Sequence, residues 1–259
     1  APGWVSFFYG PILLAGELGS EATTQADYIG LYTPIKALRP LAKAPVIIAS
    51  RDEDMAARVT PVPGRPGAFR TSGLVKPSDV TLAPFFRTHF QRYAIYWQVS
   101  DLESWEANQR KIAEAERSER ELDARTVDQA RIGEQQQEID HNLRFERSES
   151  GTGPQGKRWR QARDGGWFSY EMKLPAPGAK AALRVLYWGA DGGREFDIQA
   201  GDALLATQKL EGGNDDYFGV EYPLADAMTA GKDKITVRFQ SKLGNTAGGV
   251  FDVRIVTAK

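Results

Sequence analysis

The 259 residues carry 33 Lys and Arg against 34 Asp and Glu, a formal net charge of −1, with 41% apolar and 26% charged side chains. A chain so balanced has no global field to draw in a phosphate backbone, and no apolar run approaches the roughly 18 residues of a membrane span, so neither nucleic acid nor a bilayer is expected as a partner. With no cysteine and only two histidines, His89 and His141, disulfides, thiolate chemistry and Cys- or His-built metal centres are excluded.

The chain opens on Trp4-Val5-Ser6-Phe7-Phe8, which reads as the inside of a strand with no basic leader ahead of it, so a longer parent polypeptide is expected. Through the first hundred residues short apolar runs are punctuated by Pro and Gly, the pattern of a β-rich domain. Strands are predicted at Trp4 to Tyr9, Ile12 to Ala15, Val46 to Ala49, Val80 to Leu82 and Arg92 to Val99. In the last of these Tyr93, Ile95, Trp97 and Val99 fall on one face. Prolines at 34, 40, 45, 61, 63, 66, 77 and 84 exclude long helices between them, leaving only Arg51 to Ala57 for a helical turn.

Composition changes at Ser100. Asp101 to Asp123 has no Gly or Pro and is rich in Glu, Arg and Ala, which predicts a solvated connecting helix. Ser100 with Glu103 matches a capping box, and Trp105, Ile112 and Leu122 are its few apolar anchors. The second half returns to period-two alternation. Phe168, Tyr170, Met172 and Leu174 face inward against Trp167, Ser169, Glu171 and Lys173. Ile235, Val237 and Phe239 do the same against Lys234, Thr236, Arg238 and Gln240, as do Phe251, Val253 and Ile255 against Asp252 and Arg254. Further strands are expected at Ala182 to Trp188, Glu195 to Gln199, Leu204 to Lys209 and Tyr217 to Tyr222. The fold class is therefore all-β: two antiparallel, jelly-roll-like β-sandwich domains, residues 1–100 and 124–259, joined by a charged helix at 101–123.

The stretch Phe8-Tyr9-Gly10-Pro11-Ile12-Leu13-Leu14-Ala15-Gly16-Glu17, paired with Tyr93-Ala94-Ile95-Tyr96-Trp97, resembles the post-catalytic sandwich of β-L-arabinofuranosidase-like glycoside hydrolases, families 127 and 146 of the former DUF1680 group. The second half resembles a further domain found after it, through Arg125-Thr126-Val127-Asp128, Gly133-Glu134-Gln135-Gln136, Glu138-Ile139-Asp140-His141, Trp159-Arg160-Gln161-Ala162 and Gly165-Gly166-Trp167-Phe168-Ser169-Tyr170. The resemblance implies that chemistry resides in an N-terminal helical barrel, with a cysteine nucleophile and zinc. This chain has neither, so no catalytic residue carries over, and that barrel becomes the expected partner. A parent that degrades plant-type, arabinose-containing polysaccharide is expected to be secreted or periplasmic, on analogy alone.

Sugar rings stack their C–H faces on exposed aromatics while neighbouring polar groups bond the hydroxyls. Trp167 and Trp188 fall on the polar parity of their strands, Trp188 with Arg184, and Trp159 lies in a basic stretch with Lys157, Arg158 and Arg160. With Asp191, and Asp215 or Asp216 in loops, Trp159, Trp167, Trp188 and Arg184 are the candidate carbohydrate-binding residues. The competing reading has these rings covering a sandwich edge. Glu138, Asp140 and Asp252 are the oxygen ligands to examine for calcium, and no other cofactor is expected. Glu171, Glu195 and Asp197 are strand carboxylates, expected to be solvated rather than catalytic. In the first domain Trp4, Phe7, Phe8, Phe85 and Phe86 are candidates for an apolar face against the barrel. A purely structural pair of domains with no ligand is the alternative.

Overall fold

The computed structural model describes residues 3–19, 45–50, 53–89 and 91–258. Pro34, Pro40 and the start of the helical turn predicted from Arg51 lie outside them. The protein is all-β and divides into two compact units, 1–115 and 116–259, the division falling inside the long helix Leu102–Arg125.

The first unit contains β1 (Trp4–Val5), β2 (Phe7–Tyr9), β3 (Ile12–Glu17), β4 (Val46–Ile48), β5 (Val59–Pro61), β6 (Phe69–Thr71), β7 (Val75–Lys76), β8 (Thr81–Pro84), β9 (Tyr93–Ala94) and β10 (Trp97–Ser100). They form a sheet in the order β1-β10-β4-β7 and another in the order β2-β3-β8-β6-β5, with β9 also on β3. One pairing departs from the antiparallel expectation: β10 runs parallel to β4. The strand expected from Trp4 to Tyr9 is two strands in different sheets, with Ser6 Oγ between them donating to Ile95 O at 2.8 Å. The predicted alternation of Arg92 to Val99 also breaks, at Ile95 and Tyr96, so that Trp97 is fully buried while Tyr93 and Tyr96 are exposed. Packing accounts for this. Trp97 lies among Leu14, Ile47, Leu74 and Leu82, and its ring fills the space where a Cβ on Gly16 would stand. Asp79 ties the turn after β6, accepting from the N–H groups of Gly73, Leu74 and Val75 and from Thr71 Oγ1. Burial pushes its carboxyl up, but these donors outweigh burial and leave it below the ordinary value.

The connecting helix is capped by Asp101, whose carboxylate accepts from Ser104 N at 2.7 Å. Ser100 instead bonds Asp101 O. Helix formation starts at Leu102, so the side chain one residue after Ser100 is the one that reaches the third N–H. The last turn docks on the second unit: Leu122 packs with Ala182 and Val256, and Arg125 pairs with Glu221 at 2.8 Å.

The second unit contains β11 (Thr126–Ala130), β12 (Arg144–Thr152), β13 (Arg158–Lys173), β14 (Ala181–Trp188), β15 (Gly192–Ala200), β16 (Ala203–Glu211), β17 (Tyr217–Pro223), β18 (Lys234–Ser241) and β19 (Thr246–Thr257), with short helices Gln135–Asp140 and Asp226–Thr229. The strand order is β16-β15-β18-β13-β19-β14-β17, with β11 on β19 and β12 on β13. The long strands pass between layers: β13 gives Arg160–Arg163 to β19 and Trp167–Lys173 to β18, while β19 goes on to pair with β14. The predicted inward parity holds. Phe168, Tyr170, Met172, Val237, Phe239, Val253 and Ile255 are fully buried in one core, each contributing roughly 1.5–3 kcal/mol. Arg254, predicted outside, is buried and held by Asp252, Asp123 and Glu119 at 2.7, 2.6 and 3.0 Å. The helix end supplies two of those carboxylates, which is why a cation sits where the alternation places a solvated residue.

Candidate functional site

Aromatic residues gather at one end of the second sandwich. Trp188 closes β14 and faces Tyr217, the first residue of β17, in register. Their ring centroids are 4.7 Å apart, and Tyr217 meets Phe251 of β19 edge-on at 4.9 Å. Tyr217 Oη donates to Pro154 O at 2.7 Å, and Lys157 Nζ lies 5.5 Å from the Tyr217 centroid. Glycine makes the closeness possible: a Cβ at Gly153 would sit 2.8 Å from the Phe251 ring and 3.2 Å from Trp159. Trp159 thus joins the same end from β13.

Polar groups flank the rings. Asp191 and Arg194 form an ion pair at 2.7 Å, and Arg194 Nη1 donates to Gln161 Oε1 at 3.3 Å. A Cβ on Gly249 would lie 3.0 Å from Asp191 Oδ2 and 3.2 Å from Phe251, which locates the pair against the aromatic row. Burial raises the Asp191 carboxyl and lowers the Arg194 guanidinium, each partly offset by the other's charge. The Tyr217 phenol is raised by burial and then by the Asp191 charge. Arg184 lines a cleft of about 400 Å³ together with Tyr217 and Phe251. Of the five sequence candidates, Trp159, Trp188, Arg184 and Asp191 therefore belong to one end. Asp216 instead accepts from the N–H of Tyr217 at 2.8 Å.

Trp167 stands elsewhere, on the outer side of β13. Arg238 of β18 lies 4.0 Å from its ring centroid, and its Nε1 donates to Glu146 at 3.3 Å. Burial lowers the Arg238 guanidinium against the pull of Glu146. The ring face and the indole N–H are thus both engaged by neighbouring strands, as in a sheet-covering tryptophan.

The calcium candidates are not brought together. Glu138 is buried and accepts from Arg160 Nε and Nη2 at 3.0–3.2 Å, from the Tyr170 hydroxyl at 3.1 Å and from Gly133 N at 3.1 Å, so its lone pairs are spent inside the core. Asp140 accepts from Gln136 at 2.7 Å, and Asp252 from Arg254 and Gln129 at 2.7 and 2.8 Å. Among the described residues no three His, Asp or Glu side chains cluster as metal ligands. His141 bonds Gln137 O and Asp128, not a metal-type set. The strand carboxylates are occupied too: Glu171 pairs with Lys234 at 2.5 Å, Asp197 accepts from Thr207 at 2.6 Å, and Glu195 is bracketed by Lys209 and Lys242.

Tyr217, Phe251 and Arg194 complete the site without having been singled out. Phe251, expected inward with Val253 and Ile255, lies mid-strand in β19 at a register shift where Val250 takes the core position. Tyr217 reaches Trp188 only because β14 pairs with β17 across the intervening β15 and β16. A hydrophobic reading of single strands contains neither fact.

A family model described as a family of unknown function (DUF6805) matches residues 121–256, and one described as a domain of unknown function (DUF4986) matches residues 1–99. Neither description names the arabinofuranosidase-like group that the sequence motifs resemble. No curated protein matches the chain. Among solved structures it is similar to a family 35 carbohydrate-binding module from Clostridium thermocellum, at 12% identity and TM-score 0.36, over 45% of this chain and 93% of that one. It is also similar to the C-terminal family 6 carbohydrate-binding module of a marine laminarinase from Zobellia galactanivorans, at 14% identity and TM-score 0.34, over 44% and 91%. An exo-β-1,3-galactanase from Phanerochaete chrysosporium is matched at 14% identity and TM-score 0.34, over 45% of this chain and 27% of that one.

Proposed function

The chain belongs to the family of unknown function DUF6805, and we propose that its second sandwich is a non-catalytic carbohydrate-binding module. One observation carries the reading: the Trp188–Tyr217–Phe251 row, with ring spacings of 4.7 and 4.9 Å, lies beside the Asp191–Arg194 pair and Gln161. The rings offer stacking surface for sugar C–H faces, and the carboxylate, guanidinium and amide offer fixed acceptors and donors for hydroxyls. Glycoside hydrolysis needs a carboxylic acid held above its ordinary value with a second carboxylate across the scissile bond. Asp191 is raised by burial but is paired with Arg194 at 2.7 Å. Glu195 is the reverse, drawn down to about 2 by its hydrogen bonds to Lys242 and Lys209. Glu171 is tied to Lys234.

We place this module in the C-terminal region of a glycoside hydrolase of the β-L-arabinofuranosidase-like kind, with the first sandwich bracing the catalytic barrel. The support for bracing is the exposure of Trp4, Phe8, Phe85 and Phe86 in the first unit. Phe7, by contrast, packs edge-on against Trp97 at 6.2 Å and belongs to the core.

Calorimetric titration with arabinan, arabinoxylan and arabinogalactan, with and without calcium, tests the binding role. Saturable binding that Trp188→Ala abolishes while the fold is kept is the expected result. Failure of every polymer to bind would leave both sandwiches as structural domains.

A further inference from the structure

We propose that the sugar taken by this end of the sandwich carries a carboxylate, that is, a uronic acid residue; the inference rests on the carbohydrate-binding reading above and specifies its ligand class. The cleft of about 400 Å³ beside Tyr217 and Phe251 is lined by more cations than its carboxylates neutralise. Arg254 takes Asp252, Asp123 and Glu119 at 2.7, 2.6 and 3.0 Å, and Arg131 is 3.9 Å from Glu134. Glu221, opposite Arg184 in register, is held by Arg125 at 2.8 Å. That leaves Lys157, Arg158 and Arg184, and among the described residues none of the three has a carboxylate within 4.0 Å.

Two of these cations are placed by particular contacts. Lys157 Nζ is 5.5 Å from the centre of the Tyr217 ring, so a positive charge and a stacking surface share one spot. The Arg184 guanidinium lies over Gly219, whose missing side chain leaves room for it; any Cβ there would collide with the guanidinium. An aromatic wall with unneutralised ammonium and guanidinium groups at its edge matches a pyranose ring bearing a carboxylate, because charge-assisted hydrogen bonds from such donors are roughly twice as strong as those to a neutral hydroxyl. A neutral sugar would leave the three cations unused, and an acidic peptide would leave the rings unused.

Affinity electrophoresis of the whole chain against polygalacturonate, glucuronoarabinoxylan, neutral arabinan and polyglutamate tests this. The two uronate polymers are expected to retard the protein about tenfold more strongly than arabinan, the equivalent of one hydrogen bond to a charged group, and added salt should weaken them selectively. Arg184→Ala should cut retardation by uronates about tenfold and remove most of their advantage over arabinan. Lys157→Ala, at an exposed position, should cut it several-fold while a urea melt stays close to that of the parent protein. Arabinan bound as tightly as polygalacturonate would overturn the acidic ligand and leave the carbohydrate reading standing. Polyglutamate bound as tightly as the uronates would show charge attraction alone and overturn it too. No retardation by any polymer would overturn both.

Discussion

Trp188 and Trp167 look alike in sequence, each an aromatic on the polar parity of a strand in the second sandwich, yet they meet opposite surroundings. The partner opposite Trp188 is another ring, Tyr217, and the row continues to Phe251 at the end of the sandwich. The residue over Trp167 is Arg238, 4.0 Å from the ring centre, with Glu146 taking the indole N–H. The ring face and N–H of Trp167 are thus taken up by its neighbours, whereas Trp188 stands in a row of rings, as the proposed binding surface requires. Neighbouring strands decide this, and the strand's own alternation is silent about it.

The basic stretch around Trp159 contains the same contrast with the largest energies. Arg158 is exposed, whereas Arg160 is buried against Glu138 and within 5.3 Å of the Phe145 ring centre. Arg160→Ala leaves Glu138 as a buried, unpaired charge and should cost about 3–5 kcal/mol in a urea melt. Arg158→Ala should change stability by no more than about 0.5 kcal/mol. Equal effects would erase the distinction between core and surface on which this end of the molecule is read.

Next in size is the pair of aromatic truncations. Tyr217→Ala should weaken glycan binding by tenfold or more, on the order of the 2 kcal/mol of a central contact residue, with calorimetry as the readout. Trp167→Ala should leave that affinity within about twofold and instead lower stability by about 1–2 kcal/mol through the lost cation–π contact and buried area. Smaller again, Gly153→Ala should push the Phe251 and Trp159 rings apart and reduce affinity several-fold, with the thermal midpoint showing whether the fold is kept.

The smallest effect separates two carboxylates. Asp79 in the first unit lies below the ordinary value of 3.8, so the stability it contributes is present above that value and lost as pH falls through its folded value. Asp191 lies above 3.8, so its contribution is present at lower pH and lost as pH rises through its folded value. Denaturant melts from about pH 5 down to about pH 3 should show Asp79→Asn losing less stability than the parent protein and Asp191→Asn losing more. The same slope for both variants would contradict the assignment.

Period-two alternation made the core of the second sandwich legible, because Phe168, Tyr170, Met172, Val237 and Phe239 are buried by a sheet face that local sequence encodes. In the first unit it failed where long-range packing intervenes, as at Ile95 and Tyr96, where the chain bends to bring Trp97 over Gly16. Of the site, Trp159, Trp188, Arg184 and Asp191 were visible from residue type and parity. Tyr217 was not, since its pairing with Trp188 spans two intervening strands. The calcium candidates were not separable by sequence for a similar reason: Glu138 and Arg160 meet through the fold, 22 positions apart, and Asp252 is taken by Arg254 and Gln129.

Indole N–H spectra under glycan titration test the central claim most directly, since the chain has six tryptophans and each reports its own position. Adding an oligosaccharide from glucuronoarabinoxylan should move the signals of Trp188 and Trp159 in a saturable way and leave that of Trp167 in place. Movement of Trp167 with Trp188 and Trp159 unchanged, or no movement of any signal, would contradict the assignment of the Trp188–Tyr217–Phe251 end as the binding surface.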